Sequence, residues 1–205
     1  MIPRISTGCK TIDSFLDGGI PSGNVSLVYG EPETGKTTFA IQCSVNCTLQ
    51  GFKTLFVDCD GSFAVQRLAQ IASDNFEEIA ERIILMKPKD FHEQAEVIER
   101  LTDYVSKGFG LVVFDTITSL YRLKVAQSPS RTFELNRDLN RQLATLAQYA
   151  RTQKIAVLLA SQVRTAFSEA TVSIEPVGTR VVKFWADTVI ELKPSENPQL
   201  IRAVG

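Results

Sequence analysis

Short apolar runs rich in β-branched residues alternate with amphipathic stretches along the whole chain, the pattern of a mostly parallel sheet wrapped by helices. Residues 25–29, 54–58, 83–86, 111–115, 156–160 and 188–192 read as strands. Each is continuously apolar rather than alternating, as a strand covered on both faces requires. Between them, residues 36–50, 63–74, 91–107 and 131–153 combine helical apolar spacing with good helix formers. Gly51 and Gly108 fall where helix C-caps belong. Two segments break the rhythm: 121–130, ending in Ser-Pro-Ser, and 165–179, rich in small and polar residues. Both are expected to be mobile loops. The expected fold class is α/β.

Composition narrows this little. The 205 residues suit one domain spanning 1–205 with a substantial core, and 44% hydrophobic with 22% charged residues is ordinary for a globular protein. No run approaches the roughly 20 apolar residues that span a bilayer, and the first residues lack the apolar core of a secretory signal, so a cytoplasmic protein without membrane partners is expected. Net charge is −1, from 22 basic and 23 acidic residues, so any contact with nucleic acid rests on a local patch. Cys43 and Cys47 share a helix face but have no second pair or His nearby, and read as buried thiols. The single histidine, His92, reads as a solvated helix residue.

Candidate chemistry concentrates after the first strand. Gly30-Glu31-Pro32-Glu33-Thr34-Gly35-Lys36-Thr37 fits GxxxxGK[ST] in full, followed by Thr38 and flanked by a strand and a helix as that motif requires. Wrapping a phosphate needs consecutive amides pointing inward, hence glycine at the turns, and a helix N-terminus adds partial positive charge. Lys36 brings a full charge to the β and γ phosphates of ATP, and the Thr37 hydroxyl ligates Mg2+. Asp115 closes a buried strand and suits the magnesium water shell. Asp58, Asp60, Asp115 and Gln162 all lie just past the carboxyl ends of expected strands, where open α/β sheets bind ligands.

The segment from Ser6 to Gln42, with Gly-Gly-Ile-Pro-x-Gly before the phosphate loop, resembles the opening of the RecA-type core. Phe56-Val57-Asp58-Cys59-Asp60-Gly61-Ser62-Phe63, then Arg67-Leu68, is similar to the recombinase stretch Tyr-Ile-Asp-Thr-Glu-Gly-Thr-Phe with its Arg-Leu. Asp115-Thr116-Ile117-Thr118-Ser119-Leu120-Tyr121-Arg122 and Ala160-Ser161-Gln162-Val163 extend the resemblance nearly end to end. It implies a RecA-type P-loop ATPase core, with a mostly parallel central sheet flanked by helices. The chain starts almost at that core, without the N-terminal DNA-binding domain of full-length recombinases, and so resembles the short archaeal RecA/RadA-type paralogues.

That resemblance implies DNA repair and homologous recombination: an accessory protein that binds ATP, hydrolyses it weakly and binds DNA without promoting strand exchange. It carries Lys36, Thr37 and Asp115 onto the phosphate and magnesium positions, Arg67 onto the arginine against adenine, and Gln162 onto the γ-phosphate sensor. Asp60 falls where the family has the glutamate that orients the attacking water, one methylene longer. The two irregular segments match the family's DNA-binding loops, the first with Tyr121, Arg122, Lys124 and Arg131, the second flanked by Arg164, Arg180 and Lys183. Single-stranded or branched DNA, the main archaeal recombinase, a junction-processing nuclease and further copies of the chain are the partners implied. Two other classes fit part of the pattern: a KaiC-like signalling ATPase, which shares the phosphate-loop segment, and an interaction module that keeps ATP without hydrolysing it.

Overall fold

Alternate residues of each central strand enter different hydrophobic clusters, because successive side chains of a strand leave opposite faces of the sheet. In the computed structural model, which describes residues 4–162, 177–194 and 201–204, β1 (Val25–Gly30), β4 (Phe109–Asp115) and β5 (Ala156–Gln162) do this most completely. Val25, Leu27, Val112, Phe114, Val157 and Leu159 face one cluster, and Val28, Leu111, Val113, Leu158 and Ala160 face the other. Both faces of the sheet are therefore dry, which explains the unbroken apolar runs.

The strand order is β3-β2-β4-β5-β1-β6-β7, with β2 at Lys53–Asp58, β3 at Ile83–Met86, β6 at Thr188–Pro194 and β7 at Ile201–Val204. All pairings from β3 to β6 are parallel, while β7 pairs antiparallel with β6. One face is covered by α2 (Lys36–Leu49), α3 (Val65–Ala72) and α4 (Phe76–Ala80), the other by α5 (Phe91–Glu99), α7 (Ser119–Gln127), α8 (Thr132–Gln153) and α9 (Val177–Trp185). Short helices α1 (Lys10–Phe15) and α6 (Leu101–Tyr104) complete the described helices outside the 3-10 turns. α2 is wrapped on most sides, and burial pushes the thiol of Cys47 up to about 11 and that of Cys43 further, so both stay protonated packing groups.

The six expected strands are present, and the sequence pattern departs from the structure at five places. The stretch 121–130 is not a loop: α7 covers its first part and a 3-10 turn, Pro129–Arg131, joins it to α8. Ser-Pro-Ser does mark a break, but one between two helices, because Leu120 and Tyr121 pack into the core and hold the segment down. The helix expected over 63–74 is shorter, ended by Ser73 at φ +48°. The one expected over 91–107 breaks at Arg100 into α5 and α6. Strand β7 was not anticipated from its few residues. Of the second expected loop, most lies outside the described residues, but its last part, from Val177, begins α9.

Candidate nucleotide-binding site

Gly30 ends β1 between β5 and β6, in register with Gln162 and Leu192. A Cβ there would lie 2.2 Å from the Leu192 carbonyl oxygen and 2.8 Å from Thr34 Oγ1, so only glycine lets the chain turn out of the sheet at this point. The loop re-enters helix at Gly35, whose φ of +85° is left-handed and which gives no side-chain cap to α2. The first amides of α2 are thus left for an external acceptor, the condition for anion binding at a helix start. Thr34 Oγ1 donates to the Glu31 carbonyl at 2.8 Å and braces the loop, while Pro32 and Glu33 are exposed at its tip and Thr38 follows in the first turn of α2.

Lys36 is the buried charge of the loop, 8% exposed. Its Nζ donates to the Glu31 carbonyl at 2.6 Å and to Thr34 Oγ1 at 3.4 Å. Burial pulls its pKa down, and the carboxylates of Asp115 and Asp60 oppose that shift. A buried ammonium whose hydrogen bonds go to loop oxygens is well suited to an anion delivered to the same loop.

The parallel pairing of β2 with β4 sets Asp58 beside Asp115 and brings the turns that follow both strands together in front of α2. Asp115 is fully buried, and desolvation pushes its carboxyl up to about 6 against hydrogen bonding by Thr37, Thr116 and Ser62, with Asp60 adding repulsion. Ser62 Oγ lies 3.2 Å from Thr37 Oγ1 and donates to Asp115 Oδ2 at 3.3 Å. Asp58, also buried, accepts from the amides of Ser62 at 3.0 Å and Phe63 at 3.3 Å, and Lys87 pairs with it at 3.4 Å. It holds the turn rather than facing the loop.

Asp60 is exposed, yet both its oxygens are engaged: Oδ1 accepts from the Ser62 amide at 3.2 Å, and Oδ2 from Thr116 Oγ1 at 3.1 Å and Ser119 Oγ at 3.5 Å. Gln162 stands half-buried at the end of β5, beside the start of the loop. Arg67 is exposed on α3, and among the described residues no hydrogen bond or ion pair joins it to the loop. Lys36, Thr37, Asp115, Asp60 and Gln162 therefore meet at one end of the sheet, with Ser62 and Thr116 as members that residue-by-residue reading passed over. Their signal was local: a hydroxyl two residues past Asp60 and another next to Asp115.

The donors fit a small hard cation. One hydroxyl and buried carboxylate oxygens gather beside the Gly30–Thr37 loop, and among the described residues no group of three or more His, Cys, Asp or Glu could hold a metal ion by itself. Magnesium suits such a set, since it keeps several waters and shares phosphate oxygens instead of demanding a full protein shell.

The family model described as Rad51 matches residues 1–203 of the chain. The chain belongs to the Rad51 family. Among curated relatives, the DNA repair and recombination protein RadB of Methanococcus maripaludis is 31% identical over 91% of this chain and 84% of its own length. The RadB of Methanocaldococcus jannaschii is 31% identical, covering 92% and 87%, and that of Methanothermobacter thermautotrophicus 32%, covering 92% and 81%. A crystal structure of the RadB recombinase superposes with a TM-score of 0.80 at 35% identity, covering 98% of this chain and 88% of that one.

The residues expected as DNA contacts of this Rad51-family chain are spread over several elements. Tyr121 is not a surface aromatic: it is 5% exposed, packs edge-on against Phe91 with centroids 5.8 Å apart, and donates its hydroxyl to Asn136 Oδ1. It is removed from the DNA set, because a ring in the core offers no face to a base. Arg131 makes two hydrogen bonds to Glu134, at 2.8 and 2.9 Å. Lys124 lines a groove of about 270 Å³ between α5, α7 and α8. Arg122 is half-buried on α7, and Arg180 is exposed on α9. Lys183 lies 4.2 Å above the Tyr29 ring, a cation–π contact that fastens α9 to β1. Arg164 lies outside the described residues.

Proposed function

We propose that this chain binds ATP with magnesium on the loop from Gly30 to Thr38, hydrolyses it slowly, and serves DNA repair and recombination as a DNA-binding accessory that does not itself exchange strands. The observation that carries the nucleotide part is the convergence of Lys36, Thr37, Asp115 and Asp60 at the carboxyl ends of β1, β2 and β4. Lys36 and the first amides of α2 bind the phosphates; Thr37 and Asp115 hold the cation, Asp115 through its water shell. When bound, magnesium would neutralise charge on the phosphates. Gln162, at the rim of the loop, is placed to read the γ-phosphate, and Arg67 is assigned to adenine by family resemblance.

Asp60 is the residue that orients and deprotonates the attacking water, and its geometry supports slow turnover. Both of its oxygens are held within its own turn and by the turn after β4, and its side chain is one methylene shorter than the glutamate of the resembled recombinases. Positioning errors of about 1 Å can cost on the order of 100-fold in rate. Similarity to RadB proteins described as acting in DNA repair and recombination supports the cellular role, with single-stranded or branched DNA as the partner class. A main recombinase, a junction-processing nuclease and further copies of this chain are the protein partners this role calls for, in the cytoplasm with the chromosome.

The test is single-turnover hydrolysis at saturating ATP. Asp60→Asn is expected to lose hydrolysis while keeping ATP affinity, because the change acts on transition-state positioning. Asp60→Glu is expected to hydrolyse faster than the native protein. Equal rates in all three would leave Asp60 as a turn residue and the hydrolytic reading without a base.

A further inference from the structure

We propose that Ser62 is a positioning residue of the magnesium site, joining the hydroxyl of Thr37 to the carboxylate of Asp115; the inference rests on the nucleotide reading above. Three oxygens from three elements carry it. Thr37 comes from the first turn of α2, Asp115 from the end of β4, and Ser62 from the turn after β2, and Ser62 Oγ is 3.2 Å from the first and 3.3 Å from the second.

The placement of Ser62 is fixed by the backbone. Its amide donates to both Asp58 Oδ1 at 3.0 Å and Asp60 Oδ1 at 3.2 Å. Asp58 is in turn buried and paired with Lys87, so the turn is anchored below the site. The side chain is short, with two bonds between Cα and its oxygen, and little rotamer freedom remains once the backbone is held.

A hydroxyl in this position has a specific use. Thr37 spends a lone pair when it ligates a cation, which makes its proton a stronger donor in need of an acceptor. Ser62 accepts a hydrogen bond from that proton and donates one with its own to Asp115 Oδ2, so the chain of hydrogen bonds from Thr37 to Ser62 to Asp115 runs in one direction. This leaves the Thr37 lone pair aimed at the cation and fixes the rotation of the Asp115 carboxylate. Alanine at 62 removes the link and leaves Thr37 and the carboxylate freer to turn. Partners of this outer kind commonly change metal affinity by 10- to 100-fold, roughly, when removed.

The experiment is a titration of Mg2+ into the full chain with a non-hydrolysable ATP analogue, followed by calorimetry, and the same nucleotide titration in EDTA. Ser62→Ala is expected to raise the half-saturating Mg2+ concentration on the order of 10-fold, with nucleotide affinity in EDTA unchanged. Ser62→Thr, which keeps the hydroxyl, is expected to restore the native Mg2+ dependence. Ser62→Cys, of similar size but with a weak donor and acceptor, is expected to follow alanine. An unchanged Mg2+ dependence in Ser62→Ala and Ser62→Cys overturns the proposal, and so does an equal loss of affinity in EDTA, which would make Ser62 a shaper of the loop. Should the native chain itself bind no nucleotide, the reading of the whole site fails; should it bind with the variants unaffected, only the role of Ser62 falls.

Discussion

At the proposed phosphate end of the sheet, the candidate side chains sit on turns whose shape the strands dictate, and the buried Lys36 feels the carboxylate of the buried Asp115. On the face built by α7, α8 and α9, the candidate cations sit on helix surfaces, and Arg131 and Lys183 are engaged with Glu134 and Tyr29. The difference teaches where a motif can be trusted. A phosphate loop demands a backbone path, and a residue change that spoils the path is felt at once. A basic segment demands only exposed charge, which a neighbouring carboxylate or ring can take up.

Tyr121 gives the largest expected effect and the sharpest break between the two regions. Tyr121→Ala should destabilise the fold by about 3–5 kcal/mol, as large-to-small changes of a buried aromatic do. Tyr121→Phe should lose only the Asn136 hydrogen bond, about 1 kcal/mol, and leave DNA binding as it was. Chemical denaturation and DNA titration of both variants check this. A stable Tyr121→Ala with weakened DNA binding would return the residue to the surface role its sequence context suggests.

Lys36→Ala comes next. Loss of a charge-assisted contact to phosphate should weaken ATP binding on the order of 100-fold while the amide cradle remains. The ammonium is already half satisfied by the Glu31 carbonyl, so the fold itself should be little disturbed. Calorimetric titration of ATP, with thermal unfolding of the nucleotide-free protein, separates the two.

Asp115 links the site to pH. Its carboxyl is raised in the folded state, so its contribution to stability is fully present below the unfolded value near 3.8 and is lost as pH rises through about 6. At pH 8 the nucleotide-free protein carries the cost of a buried, ionised carboxylate. Asp115→Asn should then raise its stability by on the order of 1–3 kcal/mol, a gain that fades toward pH 4, while Mg2+-dependent nucleotide binding is lost. For the native chain, Mg2+-dependent binding should weaken as pH falls through about 6, because the ionised form is the one that serves the cation. Thermal unfolding across pH with and without Mg2+ and nucleotide measures both; a variant no more stable at pH 8 would mean that Asp115 is not strained by burial.

The smallest expected change belongs to the helical face. Replacing Arg122, Lys124 and Arg131 together by Ala should lower the slope of log affinity against log salt for single-stranded DNA by about 0.7 for every phosphate that is no longer neutralised. Since Arg131 is held by Glu134, its share is expected to be the least. An unchanged slope would move any DNA surface to Arg180 and the segment before α9.

The candidate phosphate site is legible because its requirements are local. The spacing from Gly30 to Thr37 encodes a loop, and the continuous apolar runs before it and before Asp115 encode buried parallel strands whose carboxyl ends converge. The 121–130 segment departs from its sequence pattern for the converse reason. Its Ser-Pro-Ser and mixed polarity are those of a loop, and helical propensity over so short a stretch is marginal, so burial of Leu120 and Tyr121 decides the outcome. By itself, then, the sequence determined the α/β class, the strands β1 to β6 and the loop proposed to bind phosphate, because each follows from side-chain period or backbone permissiveness within a few residues. Only the tertiary structure decided that Ser62 stands between Thr37 and Asp115, that Asp58 turns inward to Lys87 and that Tyr121 lies in the core, because these depend on which strand neighbours which, and that pairing joins residues far apart in the chain.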